Sequence, residues 1–63
     1  MPIVRIDMIE GRTIEQKRYL VKKITEVVCT GVNTTPDRVT VIITDIPKTN
    51  HGKNGKLRID TEK

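Results

Sequence analysis

The 63-residue sequence contains one cysteine, one histidine and one tyrosine, and it has neither tryptophan nor phenylalanine. The lone Cys29 excludes an internal disulfide, and Cys29 with His51 offers too few ligands for a structural metal site, so we expect neither metal nor cofactor. A chain this short buries only about 60% of its unfolded surface, and small domains usually gain stability from disulfides, metals or association. With the first two excluded, we expect an obligate homo-oligomer.

Long apolar runs are missing as well. No segment approaches the ~20 apolar residues that cross a bilayer. The N-terminus lacks the basic and then apolar plan of a signal peptide. Together with the lone cysteine, this predicts a cytoplasmic protein without membrane contact. The length predicts one domain covering residues 1–63.

Basic residues outnumber acidic ones by 12 to 8, giving a net charge of +4. The excess is concentrated between positions 46 and 59, where no acid occurs among Lys48, Lys53, Lys56 and Arg58. Such a cluster attracts small anions or nucleic acid, or is simply a solvated surface. A single aromatic residue provides no platform for base stacking, and no recognition motif is present, which argues against nucleic acid.

The first half of the chain has the pattern of a strand followed by a helix. Residues 2–9 alternate, with Val4, Ile6 and Met8 on one face. Thr13 and Gln16 have the spacing of a capping box, which predicts a helix beginning at Ile14. Apolar residues then recur at helical spacing as far as Val32. Gly31 and the segment 33–36 are expected to end the helix.

The second half predicts a buried strand and a hairpin. Residues 38–46 are almost continuously apolar, which is typical of a strand covered on both faces and paired in parallel. Strand, helix and strand then form a βαβ unit with a right-handed crossover. Asn54-Gly55 is a strong turn signal, so the tail is expected to form a short β-hairpin. The predicted fold class is α/β: a βαβ subunit with a C-terminal hairpin, in an oligomer.

Pro2 directly follows Met1 and opens the first strand. Initiator methionine is normally removed when the next residue is small, and proline qualifies. Removal exposes a secondary amine, whereas every internal proline nitrogen is an amide without an N–H. The pKa of such an amine responds to its surroundings, so Pro2 is a candidate general base. The alternative is that Pro2 has no catalytic role. If Met1 is retained, only this alternative is left, because the Pro2 nitrogen is then an amide.

Several motifs now coincide at matching distances: Pro2, Glu10-Gly11-Arg12, residues 13–17, residues 41–45 and the glycine-containing tail 51–55. Their combination resembles the 4-oxalocrotonate tautomerase family of the tautomerase superfamily over nearly the whole chain. The resemblance implies a βαβ subunit assembled as a hexamer, a trimer of dimers. It also implies an isomerase whose N-terminal proline is the general base in keto–enol tautomerisation of small, anionic, unsaturated keto acids.

Arg12 matches the arginine that binds a substrate carboxylate in this family. The seven steps of strand from Pro2 to Ile9 span about 23 Å, at about 3.3 Å each. An arginine side chain does not cover that distance. If Pro2 and Arg12 share a site, Arg12 therefore comes from a neighbouring subunit. Without Pro2, a solvated loop arginine is the simpler interpretation.

The chain departs from the family pattern at two positions. Thr40 stands where well-studied members have a second arginine that holds the keto-acid end, and a neutral hydrogen bond is weaker than a charge-assisted one. His51 stands where they have an aromatic residue, and it either fills the same space or donates a hydrogen bond to the substrate. Lys48 or Lys53 would replace the missing cation if the hairpin folds over the site.

Two other functions stay open. Superfamily relatives also use the proline as an acid in hydration-based dehalogenation and in decarboxylation, but those enzymes generally need a carboxylate that activates water, and none can be placed here. A basic oligomeric module that binds a partner without catalysis is the third interpretation, and the net charge supports it weakly.

Overall fold

The computed structural model describes residues 1–61. Strand β1 covers Ile3–Ile9, helix α1 covers Ile14–Val32 and strand β2 covers Thr40–Ile46. Short strands β3 (Gly52–Lys53) and β4 (Lys56–Leu57) and a one-turn helix α2 (Arg58–Thr61) complete the chain, with 3₁₀ turns at Pro36–Arg38 and Lys48–Asn50. The predicted βαβ unit and hairpin are confirmed, whereas α2 was not predicted.

Strands β1 and β2 pair in parallel, in a register that runs from Ile3 opposite Thr40 to Ile9 opposite Ile46. The predicted parallel pairing is therefore correct. The predicted start of β2 is wrong: the strand was expected to begin at residue 38, but it begins at Thr40, and residues 36–38 form a 3₁₀ turn. There the Val39 N–H donates to the Pro36 carbonyl at 3.2 Å. Proline favours this turn because its fixed φ suits a first helical position.

Both ends of α1 are capped. The Thr13 hydroxyl accepts a hydrogen bond from the Gln16 N–H at 3.1 Å, and the Gln16 side chain accepts one from the Thr13 N–H at 2.9 Å. This is the predicted capping box. At the other end Asn33 adopts a left-handed conformation with φ 55°, and its N–H donates to the Cys29 carbonyl. Gly31, expected to help end the helix, lies inside its last turn.

The hairpin turns at Asn54 and Gly55, whose φ angles are 54° and 76°. Two successive positive φ angles are characteristic of a type I′ turn, which Asn-Gly favours. The pairing sets Lys53 directly opposite Lys56. After the hairpin, the Arg58 N–H donates to the His51 carbonyl at 2.8 Å, which closes this end of the chain on itself.

The single chain has no buried core: none of the residues 1–61 is fully buried. Its accessible surface is 5171 Å², whereas a monomeric protein of 7.2 kDa exposes about 4,100 Å². The radius of gyration is 15.1 Å, against about 11 Å for a compact chain of this length. The excess surface is comparable to what one partner buries in a standard protein interface.

The uncovered surface includes one whole face of the sheet. Val4, Ile6 and Met8 are half-buried and alternate with exposed residues such as Ile3, which is 53% exposed. By the same alternation Ile42 lies on the face opposite α1. The apolar run of β2 predicted that both faces of the strand are covered. In the single chain, only the face toward α1 is covered. Within the described chain, neither helix has the length and apolarity that crossing a bilayer requires.

Candidate active site

Pro2 lies at the N-terminal end of the sheet. Its carbonyl accepts a hydrogen bond from the Thr40 N–H at 3.0 Å, one step before the first register pair of β1 and β2. Pro2 is half-buried, and Met1, still joined to it, is 89% exposed. The anchoring bond uses the carbonyl and not the nitrogen. Removal of Met1 therefore leaves Pro2 held in place while freeing its amine.

Thr40 is adjacent to Pro2 only through this backbone contact. In the register Thr40 is opposite Ile3, which is an exposed residue. Pro2 is two residues before Val4 and is half-buried like it, so Pro2 belongs to the other face. Successive residues of a strand point to opposite faces. The side chains of Thr40 and Pro2 in one chain therefore lie at the same end of the sheet but on different faces.

Arg12 follows the other end of β1. The Glu10 N–H donates to the Ile46 carbonyl at 3.0 Å, so the two strands stay paired up to that point. Gly11, with φ 115°, then turns the chain into α1 in a conformation that favours glycine. Arg12 is exposed at the edge of an open hollow of about 470 Å³. The other lining residues are Met8, Glu15, Gln16, Tyr19 and Leu20.

His51 lies beyond the same end of the sheet as Arg12. The two segments meet where the Glu10 carboxylate accepts a hydrogen bond from the Lys48 N–H at 3.2 Å. His51 is half-buried, and its Nδ1 atom is buried without a hydrogen-bond partner in the described chain. It lines a cleft of about 290 Å³ together with Lys53, Lys56, Arg58 and Thr61.

The candidate residues thus fall into two groups. Pro2 and Thr40 lie at the start of the paired strands, and Arg12 and His51 lie beyond their end. The seven residues of β1 place the groups about 23 Å apart. One chain does not bring them together, so a site containing both groups takes residues from at least two chains. Of the two lysines considered as replacement cations, Lys53 lines the His51 cleft, and Lys48 contributes its backbone N–H to the contact with Glu10.

One contact that sequence reasoning missed supports the Arg12 end. Lys17 on α1 and Asp45 on β2 form an ion pair with Nζ and Oδ2 2.6 Å apart. The Lys17 N–H also donates to the Thr13 carbonyl at 3.1 Å. The pair therefore joins the first turn of α1, directly after Arg12, to the far end of β2. The sequence signal for this pair was the position of Lys17, which stands three and four residues before Leu20 and Val21 and so shares the apolar face of the helix.

Comparison with known proteins agrees with this architecture. Residues 2–58 match the family model described as tautomerase enzyme. A probable tautomerase of Streptococcus pneumoniae is 45% identical over 58 residues, covering 92% of this chain and 97% of that protein. A 2-hydroxymuconate tautomerase of Bacillus subtilis is 40% identical over 62 residues, covering 98% of this chain and 100% of that protein.

Two solved structures show the same fold. A 4-oxalocrotonate tautomerase isozyme from Methylibium petroleiphilum superposes with a TM-score of 0.87 at 37% identity, covering 98% of this chain and 100% of that chain. A heterohexameric 4-oxalocrotonate tautomerase from Chloroflexus aurantiacus J-10-fl superposes with a TM-score of 0.85 at 28% identity, covering 95% of this chain and 97% of that chain. The family-model match over residues 2–58 includes both Pro2 and His51.

Proposed function

Because the chain belongs to the tautomerase family, we propose that it is a keto–enol tautomerase whose general base is the Pro2 amine, exposed when Met1 is removed. The observation that carries the proposal is the anchoring of Pro2 by its carbonyl on Thr40. This bond holds the terminal residue at a fixed position on the sheet and leaves its nitrogen for chemistry. A flexible terminus would not position a base within hydrogen-bond reach of a substrate proton.

The reaction moves one proton along a conjugated system. The neutral Pro2 nitrogen takes the proton from an enol hydroxyl, the electrons shift along the conjugated chain, and the resulting ammonium returns the proton to a carbon. The product is the isomeric keto acid, and the amine is neutral again. No redox step or additional reactant is needed.

For this role the amine has to be neutral near neutral pH. An ordinary α-amine has a pKa of about 7.7–8.0, and the secondary amine of proline is more basic. Burial and a nearby cation both disfavour the ammonium form. Each unit of lowered pKa corresponds to about 1.4 kcal/mol of differential interaction, so a shielded site beside an arginine supplies an effect of the right size.

The other three residues are assigned to the substrate. Arg12 of a neighbouring subunit binds a carboxylate through two charge-assisted hydrogen bonds. Thr40 and His51 donate hydrogen bonds to the oxygen on which charge develops, together with backbone N–H groups. This Thr40 comes from a chain other than the one that supplies Pro2, because the two side chains of one chain lie on different faces of the sheet. The substrate class that these roles require is a small, anionic, unsaturated 2-keto acid or its enol. Among the relatives, the B. subtilis protein bears the name of 2-hydroxymuconate tautomerase.

We assign the complete site to a homo-oligomer, and a hexamer built as a trimer of dimers fits best. Residues 1–61 form no buried core of their own, and one face of the sheet is uncovered. The separation of the two residue groups independently requires a second chain. The C. aurantiacus relative is a heterohexamer. Sedimentation equilibrium or native mass spectrometry tests this assignment, and a monomer at micromolar concentration would overturn it.

The catalytic assignment is tested by measuring ketonisation of 2-hydroxymuconate and phenylenolpyruvate, with intact-mass measurement to establish that Met1 is absent. We expect Pro2→Ala to lower kcat/KM substantially, since a positioned general base contributes about 10²–10⁴-fold. Insertion of a lysine between Met1 and Pro2 provides a sharper variant, because Met1 is then retained and the Pro2 nitrogen becomes an amide. Rates equal to the parent's in the insertion variant would remove Pro2 from the mechanism.

A further inference from the structure

The side chain of Arg12 has no partner within the part of the chain that the structure describes. Its guanidinium forms neither an ion pair nor a hydrogen bond with residues 1–61. Glu15, which lines the same hollow, is paired with Arg18 instead. Because no side chain of its own subunit holds Arg12, its position depends on the backbone that carries it.

The loop that carries Arg12 is short and is fixed at both ends. On the strand side, the Glu10 N–H donates to the Ile46 carbonyl at 3.0 Å, and the Glu10 carboxylate accepts a hydrogen bond from the Lys48 N–H at 3.2 Å. On the helix side, Thr13 is the N-cap of α1. Arg12 is one of the two residues between these ends, so a displacement of the helix start moves Arg12 directly.

An ion pair ties the start of the helix to the sheet. Lys17 Nζ lies 2.6 Å from Asp45 Oδ2, and the Lys17 N–H donates to the Thr13 carbonyl at 3.1 Å. The two side chains of the pair are 24% and 44% exposed, against 50% and 54% for the Lys23–Glu26 pair within α1. Partial shielding from water strengthens the Coulomb attraction, whereas well-exposed pairs contribute little.

The same part of the sheet holds the other end of the loop. Asp45 directly precedes Ile46, whose carbonyl accepts the Glu10 N–H. The end of β2 therefore fixes the strand side of the loop through its backbone and the helix side through an ion pair. We propose that Lys17 and Asp45 are positioning residues, whose ion pair holds Arg12 in the direction from which it binds the substrate carboxylate.

The proposal rests on the proposed function, in which Arg12 binds a carboxylate in a site completed by another chain. A guanidinium and a carboxylate form two parallel hydrogen bonds, so a tilt of the loop weakens both. A displacement of about 1 Å is enough to lower a rate by on the order of a hundred-fold. A pair remote from the substrate thus affects catalysis through Arg12.

The test uses two double variants that each remove one positive and one negative charge, so the net charge stays at +4. Lys17→Met/Asp45→Asn breaks the positioning pair, and Lys23→Met/Glu26→Gln, the helix control, breaks the exposed pair within α1. Native mass spectrometry establishes that each variant assembles as the parent does. If the first does not assemble, Asp45→Asn alone takes its place, with Glu26→Gln as its control.

We expect Lys17→Met/Asp45→Asn to lower kcat/KM for 2-hydroxymuconate by about three- to tenfold, because the guanidinium is present but held less precisely. The loss should divide between kcat and KM as it does in Arg12→Gln. The helix control should stay within about twofold of the parent, and Lys17→Arg, which keeps the pair, should restore most of the activity.

A double-mutant cycle shows whether the pair acts through Arg12. In an Arg12→Gln background, Lys17→Met/Asp45→Asn should change kcat/KM by no more than about twofold, since there is no guanidinium left to position. The full loss in that background would overturn the proposal. So would equal losses in the positioning variant and the helix control.

A measurement without substrate separates this proposal from the catalytic one. We expect the backbone amide order parameters of Gly11 and Arg12 to fall from the rigid value of about 0.85 toward the flexible range below about 0.6 in Lys17→Met/Asp45→Asn, and to stay at the parent's values in the helix control. Unchanged values in the first variant overturn the positioning role even when Pro2 catalysis is established. A fall in a protein whose parent lacks tautomerase activity refutes the proposed function and leaves the anchoring of Arg12 established.

Discussion

The sharpest consequence of the proposed site is that two inactive variants should restore each other's activity. We consider two variants: Pro2→Ala, which lacks the base, and Arg12→Gln, which lacks the carboxylate-binding guanidinium. Seven residues of β1 separate the two positions, a distance of about 23 Å in one chain. If every site takes Pro2 from one chain and Arg12 from another, a mixed oligomer contains sites in which both residues are intact.

The expected recovery follows from counting. In an equal, random mixture, a site is intact when its base comes from an Arg12→Gln chain and its arginine from a Pro2→Ala chain. Each condition holds for half of the chains, so about one quarter of the sites recover when the two positions belong to different chains. Arg12→Gln alone should lower kcat/KM by about ten- to a hundred-fold, because hydrogen bonds to a charged group contribute about 1.5–3 kcal/mol. A recovered quarter is therefore about 2.5- to 25-fold above the activity of Arg12→Gln alone.

The experiment is to unfold and refold the two variants together, to establish mixed assembly by native mass spectrometry, and to assay kcat/KM. A matched control mixes two preparations of Arg12→Gln, which should show no gain. Verified mixed oligomers with activity no higher than the mean of the two separate variants would refute the shared site. Such a result would mean that Pro2 and Arg12 of the same chain act together, or that Arg12 does not act at all.

Two further predictions concern the base and the helix. The kcat/KM of the mature protein should fall as the pH is lowered through the pKa of the Pro2 amine, since a base acts only when unprotonated; a fall on raising the pH instead would indicate an ammonium acid. Thr13→Ala should lower the free energy of unfolding by about 1 kcal/mol, because it removes the hydroxyl that accepts a hydrogen bond from the Gln16 N–H. Thr30→Ala, at an exposed position within α1, should not lower it by this amount. Denaturant titration at one fixed protein concentration measures this difference, since unfolding is coupled to dissociation; equal losses in the two variants would refute the capping role.

Local chemistry made most of the fold predictable. The capping box at Thr13 and Gln16 and the left-handed Asn33 bound α1, and each involves residues close together in the chain. The Asn54-Gly55 turn is equally local. The start of β2 was misplaced because the 3₁₀ turn at Pro36–Arg38 competes with a strand over the same residues. Helix α2 is a single turn, too short for a periodic pattern to indicate.

In the candidate site, too, the features that depend on local sequence were predictable and those that depend on strand pairing were not. The separation of Pro2 from Arg12 depends only on the length of one strand, and it was deduced from the sequence. The positions of Thr40 and His51 depend on register, and a slip of a single residue would move Thr40 to the other face of the sheet. The observed register joins Thr40 to Pro2 through the backbone, with the two side chains on different faces of the sheet, and the His51 segment lies at the Glu10 end. With Pro2 at one end and Arg12 and His51 at the other, the proposed site is incomplete in a single chain, so the association that we propose to cover its apolar surface would also complete its site.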